Sequence, residues 1–152
     1  MKKRLAVIIM LLTMMFSGCS AALSEEEYYS RFVENYSAYN QKIMSLSVQC
    51  GELESGYDGY DWDSFEDDLK SARESLDAIE KMSPPETYSA LHRDVCEKMQ
   101  AEREWCDAAA KVAEDKELSD ENAKRITDAA NASQFHSAVF SLIKQMKDDG
   151  VA

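Results

Sequence analysis

From Ser24 onward, apolar residues recur at alternating spacings of three and four. Tyr29, Phe32, Tyr36, Tyr39, Ile43, Leu46 and Cys50 fall on one stripe, which predicts an amphipathic helix over residues 24–50. Ser24 with Glu27 makes a capping box at its start, and Gly51 suits a left-handed residue just past its end. The stripe resumes in Trp62, Phe65, Leu69, Ala72, Leu76, Ile79 and Met82, predicting a second helix over 63–82 with Asp63 and Glu66 as its cap pair. Ser83-Pro84-Pro85-Glu86 then encodes a tight turn: Ser83 caps the next helix and Pro84 takes its first position, where a missing N–H costs nothing.

Tyr88, Leu91, Val95, Met99, Trp105, Cys106, Ala109 and Val112 mark a third helix over 84–114. No Gly or Pro interrupts residues 86–149, so the last boundary rests on Ser119 as an N-cap. The fourth helix, 119–148, shows Ala123, Ile126, Ala130, Ser133, Ser137, Phe140 and Ile143 on one face. Four amphipathic helices with short connections predict an all-α fold, an antiparallel up-down-up-down four-helix bundle over 24–149. In that bundle the 51–62 loop and the 113–119 turn share one end, and the double-proline turn and the C-terminus share the other.

The residues ahead of the bundle read differently. Lys2, Lys3 and Arg4 precede a twelve-residue apolar run from Leu5 to Phe16 broken only by Thr13, followed by Ser17-Gly18-Cys19, the layout of a secretory signal peptide. The run spans about 18 Å as a helix, short of the roughly 20 residues a membrane crossing needs. Phe16-Ser17-Gly18-Cys19 resembles the lipobox of bacterial lipoproteins, with Phe16 where Leu is usual. The resemblance implies that residues 1–18 are a signal peptide and that Cys19 receives acyl chains. Residues 19–23 then form a short lipidated tether, and the bundle is extracytoplasmic, anchored to a bacterial cell membrane. Ordinary cleavage after Ser20-Ala21-Ala22 is the alternative and would release a soluble secreted protein. Pro84-Pro85-Glu86 leading into Leu91-His92 also resembles a helix start of small secreted bacterial helical lipoproteins, which implies a shared turn and no particular activity.

Charge narrows the partners. The chain of 152 residues carries 17 Lys and Arg against 29 Asp and Glu, a net charge of −12. Cleavage before Cys19 removes 18 residues, three of them basic and none acidic, and leaves 134 residues with a net charge of −15. Nucleic acid is therefore a poor partner, since phosphate binding draws on clustered Lys and Arg. Only twelve of those 134 residues are Val, Ile or Thr, so no strand competes with the helical reading.

Cys50, Cys96 and Cys106 remain after Cys19, in a compartment that permits disulfides. Ten helical residues hold Cys96 and Cys106 about 15 Å apart, which forbids their pairing. Counting along the third helix from the double-proline turn brings Cys106 nearest to Cys50, so the expected disulfide is Cys50–Cys106, contributing roughly 4 kcal/mol. Three reduced core thiols are the alternative. No Cys-x-x-Cys, His-x-x-x-His, Glu-x-x-His or Cys-x-x-Cys-His spacing occurs, so no metal and no cofactor are expected. Neither a Gly-x-Ser-x-Gly elbow nor a Gly-rich phosphate loop is present, and the expectation is a protein that is not an enzyme.

One stretch stands out in composition. Residues 52–68 hold eight acids and no base, with Tyr57, Tyr60 and Trp62 interleaved. Tyr57, Asp58, Tyr60, Asp61, Trp62 and Asp63 thus form a candidate partner-binding tip, acids steering a cationic peptide and aromatics anchoring it. The plainer reading is a solvated loop whose Trp62 tucks under the bundle and whose acids complement the start of the second helix. The leading functional expectation is a lipid-anchored, non-catalytic module that binds an envelope protein or peptide. The alternative is a carrier of a small ligand, metal or haem in the bundle interior, near His92, Cys96, Met99 and the aromatics of the first helix.

Overall fold

The computed structural model describes residues 22–55 and 60–151. The leader, Cys19, Tyr57 and Asp58 lie outside the described residues. Among those described, every regular element is helical: α1 (Glu25–Glu54), α2 (Trp62–Glu80), a single 3-10 turn (Glu86–Tyr88), α3 (Ser89–Lys98), α4 (Gln100–Asp115), α5 (Asp120–Ala132) and α6 (Phe135–Asp148). None of these helices is long and apolar enough to cross a membrane. The third and fourth stripes are thus each carried by two helical segments in succession.

Local chemistry sets most of the boundaries. The Glu27 N–H donates to Ser24 Oγ at 3.2 Å, as the capping box requires. α1 then runs through Gly51 to Glu54, because nothing in the backbone there demands a left-handed residue; among the described glycines only Gly150 has a positive φ. The cap of α2 is Asp61, two residues before Asp63, and it accepts from the Ser64 N–H at 3.1 Å. The double-proline turn also differs from expectation. Pro85 is extended (φ −55°, ψ 151°), so the chain enters α3 through the 3-10 turn, without Ser83 as its cap. The Ser83 carbonyl instead accepts from the Leu23 N–H at 3.1 Å and ties the entry of α1 to this turn.

Ser119 caps α5 by accepting from the Asn122 N–H at 3.2 Å. Among the described residues other than glycine, the left-handed one is Lys116 (φ 52°), which ends α4 where glycine would be the easier choice. Between α5 and α6, Ser133 is extended (φ −66°, ψ 129°) and its Oγ accepts from the Phe135 N–H at 3.3 Å. This break resets the helical phase. The buried residues of α6 are Phe135, Ala138, Val139, Leu142 and Met146, whereas Phe140, on the expected stripe, is 60% exposed. On α1 the expected stripe is buried from Phe32 to Cys50, except that Ile43 is partly buried and Tyr28, not Tyr29, heads it, four residues before Phe32.

Packing follows from these faces. α1 lies along α2 and touches α6, α2 lies along α4, α4 along α5, and α3 along α6. Two side-chain pairs fix the register of α1 against the third stripe: the Tyr28 hydroxyl meets His92 Nδ1 at 2.8 Å, and the Tyr39 hydroxyl donates to Glu102 Oε2. Partners are 64 and 63 positions apart, so the two rise together. That offset sets Cys50 level with residue 113, seven residues or about 10 Å beyond Cys106, too far for a bond that needs α-carbons within about 7 Å. The expected Cys50–Cys106 disulfide is accordingly absent, and Cys50, Cys96 and Cys106 are free thiols.

At the other end of the bundle, Tyr88 donates to Asp149 Oδ2 at 3.1 Å, gathering the chain's C-terminal end with Leu23 around the double-proline turn. The core between is aromatic, with Tyr28, Phe32, Tyr39, Phe65, Tyr88 and Phe135 all fully buried.

Candidate functional site

At the end of the α1–α2 hairpin lies an open groove of about 580 Å³. The last three turns of α1 supply one wall through Met44, Ser45, Val48, Gln49 and Glu52, and the entry of α2 supplies the other through Tyr60, Asp61 and Ser64. Met44 and Val48, one helical turn apart, are 62% and 64% exposed, an unusual outlay of large apolar side chains on a surface this polar. Glu52 and Asp61 put two carboxylates on the rim, and among the described residues no lysine or arginine lines it.

Of the residues singled out from sequence, Tyr60 and Asp61 line this groove. Trp62 does not. It is partly buried against the core, with its ring 4.5 Å from Tyr60 and 6.1 Å from Phe65, and so it fixes the Tyr60 ring from behind. Asp63 is exposed in the first turn of α2, where an acid complements the helix N-terminus. Asp61 does two things, capping α2 and charging the rim. The Tyr60 hydroxyl is buried and has no hydrogen-bond partner among the described residues. Burial first, then the neighbouring Cys50 and Glu52, push its pKa up, so the phenol stays protonated and is a donor facing no acceptor.

Glu52 belongs to the acid-rich stretch read from sequence, whereas Met44 and Val48 were missed because they sit off the core stripe of α1 and only the fold brings them to the tip. Their wall is held by Asp68, itself 9% exposed. Lys42 donates to Asp68 Oδ1 at 2.6 Å, while Ser45 and Gln49 donate to Oδ2 at 2.7 and 3.2 Å. Two groove residues, Ser45 and Gln49, are therefore pinned from below by one carboxylate on α2. A second groove, between α2 and α4, differs in having bases on its walls, Lys70 and Arg73, the latter paired with Asp107 at 2.6 Å.

Of the interior residues considered for ligand binding, His92 and Cys96 meet each other and the aromatics of α1, and Met99 is buried in the core. His92, 6% exposed, has Tyr28 on Nδ1 and Cys96 Sγ 3.5 Å from Nε2, with the Tyr28 and Phe32 rings edge-on at 5.8 and 6.4 Å. Burial, and then the Glu80 carboxylate, raise the Cys96 thiol, while burial takes Cys50 up to about 11 and Cys106 up to about 12. All three sulfurs are thus protonated at neutral pH and poor nucleophiles. Among the described residues no three His, Cys, Asp or Glu side chains converge as a metal site.

Burial lowers the His92 pKa below its usual 6.5, against the pull of the Glu80 backbone. The folded state then binds that proton less readily than the unfolded chain. The contribution of neutral His92 is complete above about pH 6.5 and declines as the pH falls below it. Urea midpoints measured from pH 7.5 to pH 5 should fall over this window. His92→Gln should flatten that slope, and an equal slope in the variant would assign it to other groups.

Comparisons with family models, curated proteins and solved structures found no match. What the groove does has to be read from its own chemistry.

Proposed function

We propose that this chain is an up-down-up-down four-helix module, cleaved before Cys19, extracytoplasmic and anchored to a bacterial cell membrane by acyl chains on that residue. Its acid-rimmed groove binds a cationic segment of an envelope protein or peptide, without catalysis. The observation that carries this reading is the pairing of exposed Met44 and Val48 with the Glu52 and Asp61 carboxylates in one groove. A lysine or arginine fits such a surface in both its parts, its aliphatic stem on the apolar floor and its charged head at the rim. The net charge of the chain works in the same direction, drawing cationic segments in at long range.

The test uses a fluorescent amphipathic peptide rich in Lys and Leu, titrated with the protein at low and high salt. Glu52→Gln combined with Asp61→Asn should weaken binding about tenfold, equivalent to about 1.4 kcal/mol. Asn is as good an N-cap as Asp, so α2 should keep its start. Val48→Ser should weaken binding at both salt concentrations, because it removes apolar contact and no charge. Equal affinity in wild type and both variants would remove the groove as the binding site.

A further inference from the structure

We infer that α5 is a strap that opens on its own, tied at both ends, while the rest of the bundle stays folded. Three observations converge on it. First, α5 is held from one side. Its principal neighbour is α4, and of its thirteen residues only Asn122 and Ala129 are buried. A free helix of this length is marginal in water, so α5 depends on the face it lays on α4, where Ala129 and Ile126 reach the core. Second, the chain breaks on either side of it: Lys116 is left-handed where α4 ends, and Ser133 is extended where α5 ends. The chain on either side is anchored independently, α4 to α2 through Arg73 and Arg103, and α6 to α3 and α1. Opening therefore breaks only the contacts of α5 itself.

Third, the junction carries a latch. Ser133 donates to Glu102 Oε1, and Glu102, 5% exposed, accepts Tyr39 on its other oxygen. This carboxylate joins the far end of the strap to α1 across the core. Beneath the strap, Ala108 is fully buried although it lies outside the main core cluster and on the side of α4 away from Arg103 and Asp107, which face α2. Trp105 and Val112 share that side by helical spacing, so opening uncovers an apolar strip on α4.

Hydrogen exchange of the full chain, followed peptide by peptide, tests this. Amides of α5 should exchange at least about tenfold faster than those of α4 and α6, with little dependence on low urea. Ser133→Ala should speed α5 severalfold further and leave α1 to α4 unchanged. If α5 is protected as strongly as α4, or if Ser133→Ala speeds all helices alike, the strap does not open alone and the inference is wrong.

Discussion

Phe135→Ala should lower the free energy of unfolding by about 3–5 kcal/mol, whereas Phe140→Ala, five residues along, should cost at most about 1 kcal/mol. The difference comes from the Ser133 break. Phe135 is fully buried at the start of α6, with its ring perpendicular to Tyr39 at 5.6 Å and tilted on Tyr36 at 6.2 Å. Its truncation leaves a cavity among side chains from α1 that cannot collapse together. Phe140 touches Tyr36 edge-on at 6.1 Å and is 60% exposed. Denaturant midpoints for the two variants decide the matter, and a Phe140→Ala cost equal to that of Phe135→Ala would put the last helix in the phase that unbroken spacing implies.

Asp68→Ala should cost about 2–3 kcal/mol, below the 3–5 typical of breaking a fully buried pair because Lys42 keeps partial access to water. Lys42, Ser45 and Gln49 all lose their acceptor. Burial works to raise the Asp68 pKa, but the hydrogen bonds from Lys42 and Ser45 and the Lys42 charge win, and the carboxyl sits below its ordinary value. A carboxyl so depressed contributes stability that is complete above about pH 3.9 and is lost as the pH falls through its folded-state value. Asp68→Asn should therefore cost least at acid pH and most at neutral pH. A variant whose deficit is the same at pH 3 and pH 7 would mean that the charge is not what matters at this position. Since Ser45 and Gln49 line the groove, both Asp68 variants should also loosen peptide binding, although Asp68 itself does not line it.

The sequence was most legible where one helix carried one uninterrupted stripe. The helical class, the Ser24 and Ser119 caps and the core of α2 from Phe65 to Ile79 were all readable, because periodicity and capping are local properties. What failed was phase across a break that no Gly or Pro announced. Ser133 extends the chain through a hydroxyl shared between Glu102 and the Phe135 N–H, and that arrangement exists only once α4 stands alongside. The cysteine pairing failed for a related reason. Counting rises assumed that the first and third helices start level, whereas the extended Pro85 and the 3-10 turn delay α3 and set Cys50 beyond Cys106. For the groove, half was visible as an acid-rich, aromatic loop, but Met44 and Val48 carry no mark in the sequence except that they are apolar and off the stripe.

The length of α1 has a mechanical meaning. Thirty residues of unbroken helix, about 45 Å, run from Leu23, pinned to the Ser83 carbonyl, to the floor of the groove. For a chain held at its N-terminal side, a pull exerted through the groove travels down this single rod to the point of attachment. The load runs along the α1–α2 seam in shear, so many side-chain contacts resist it at once, whereas peeling would strain them one at a time. Through Tyr39, bonded to the Glu102 carboxylate that also holds Ser133, the rod reaches the far end of α5.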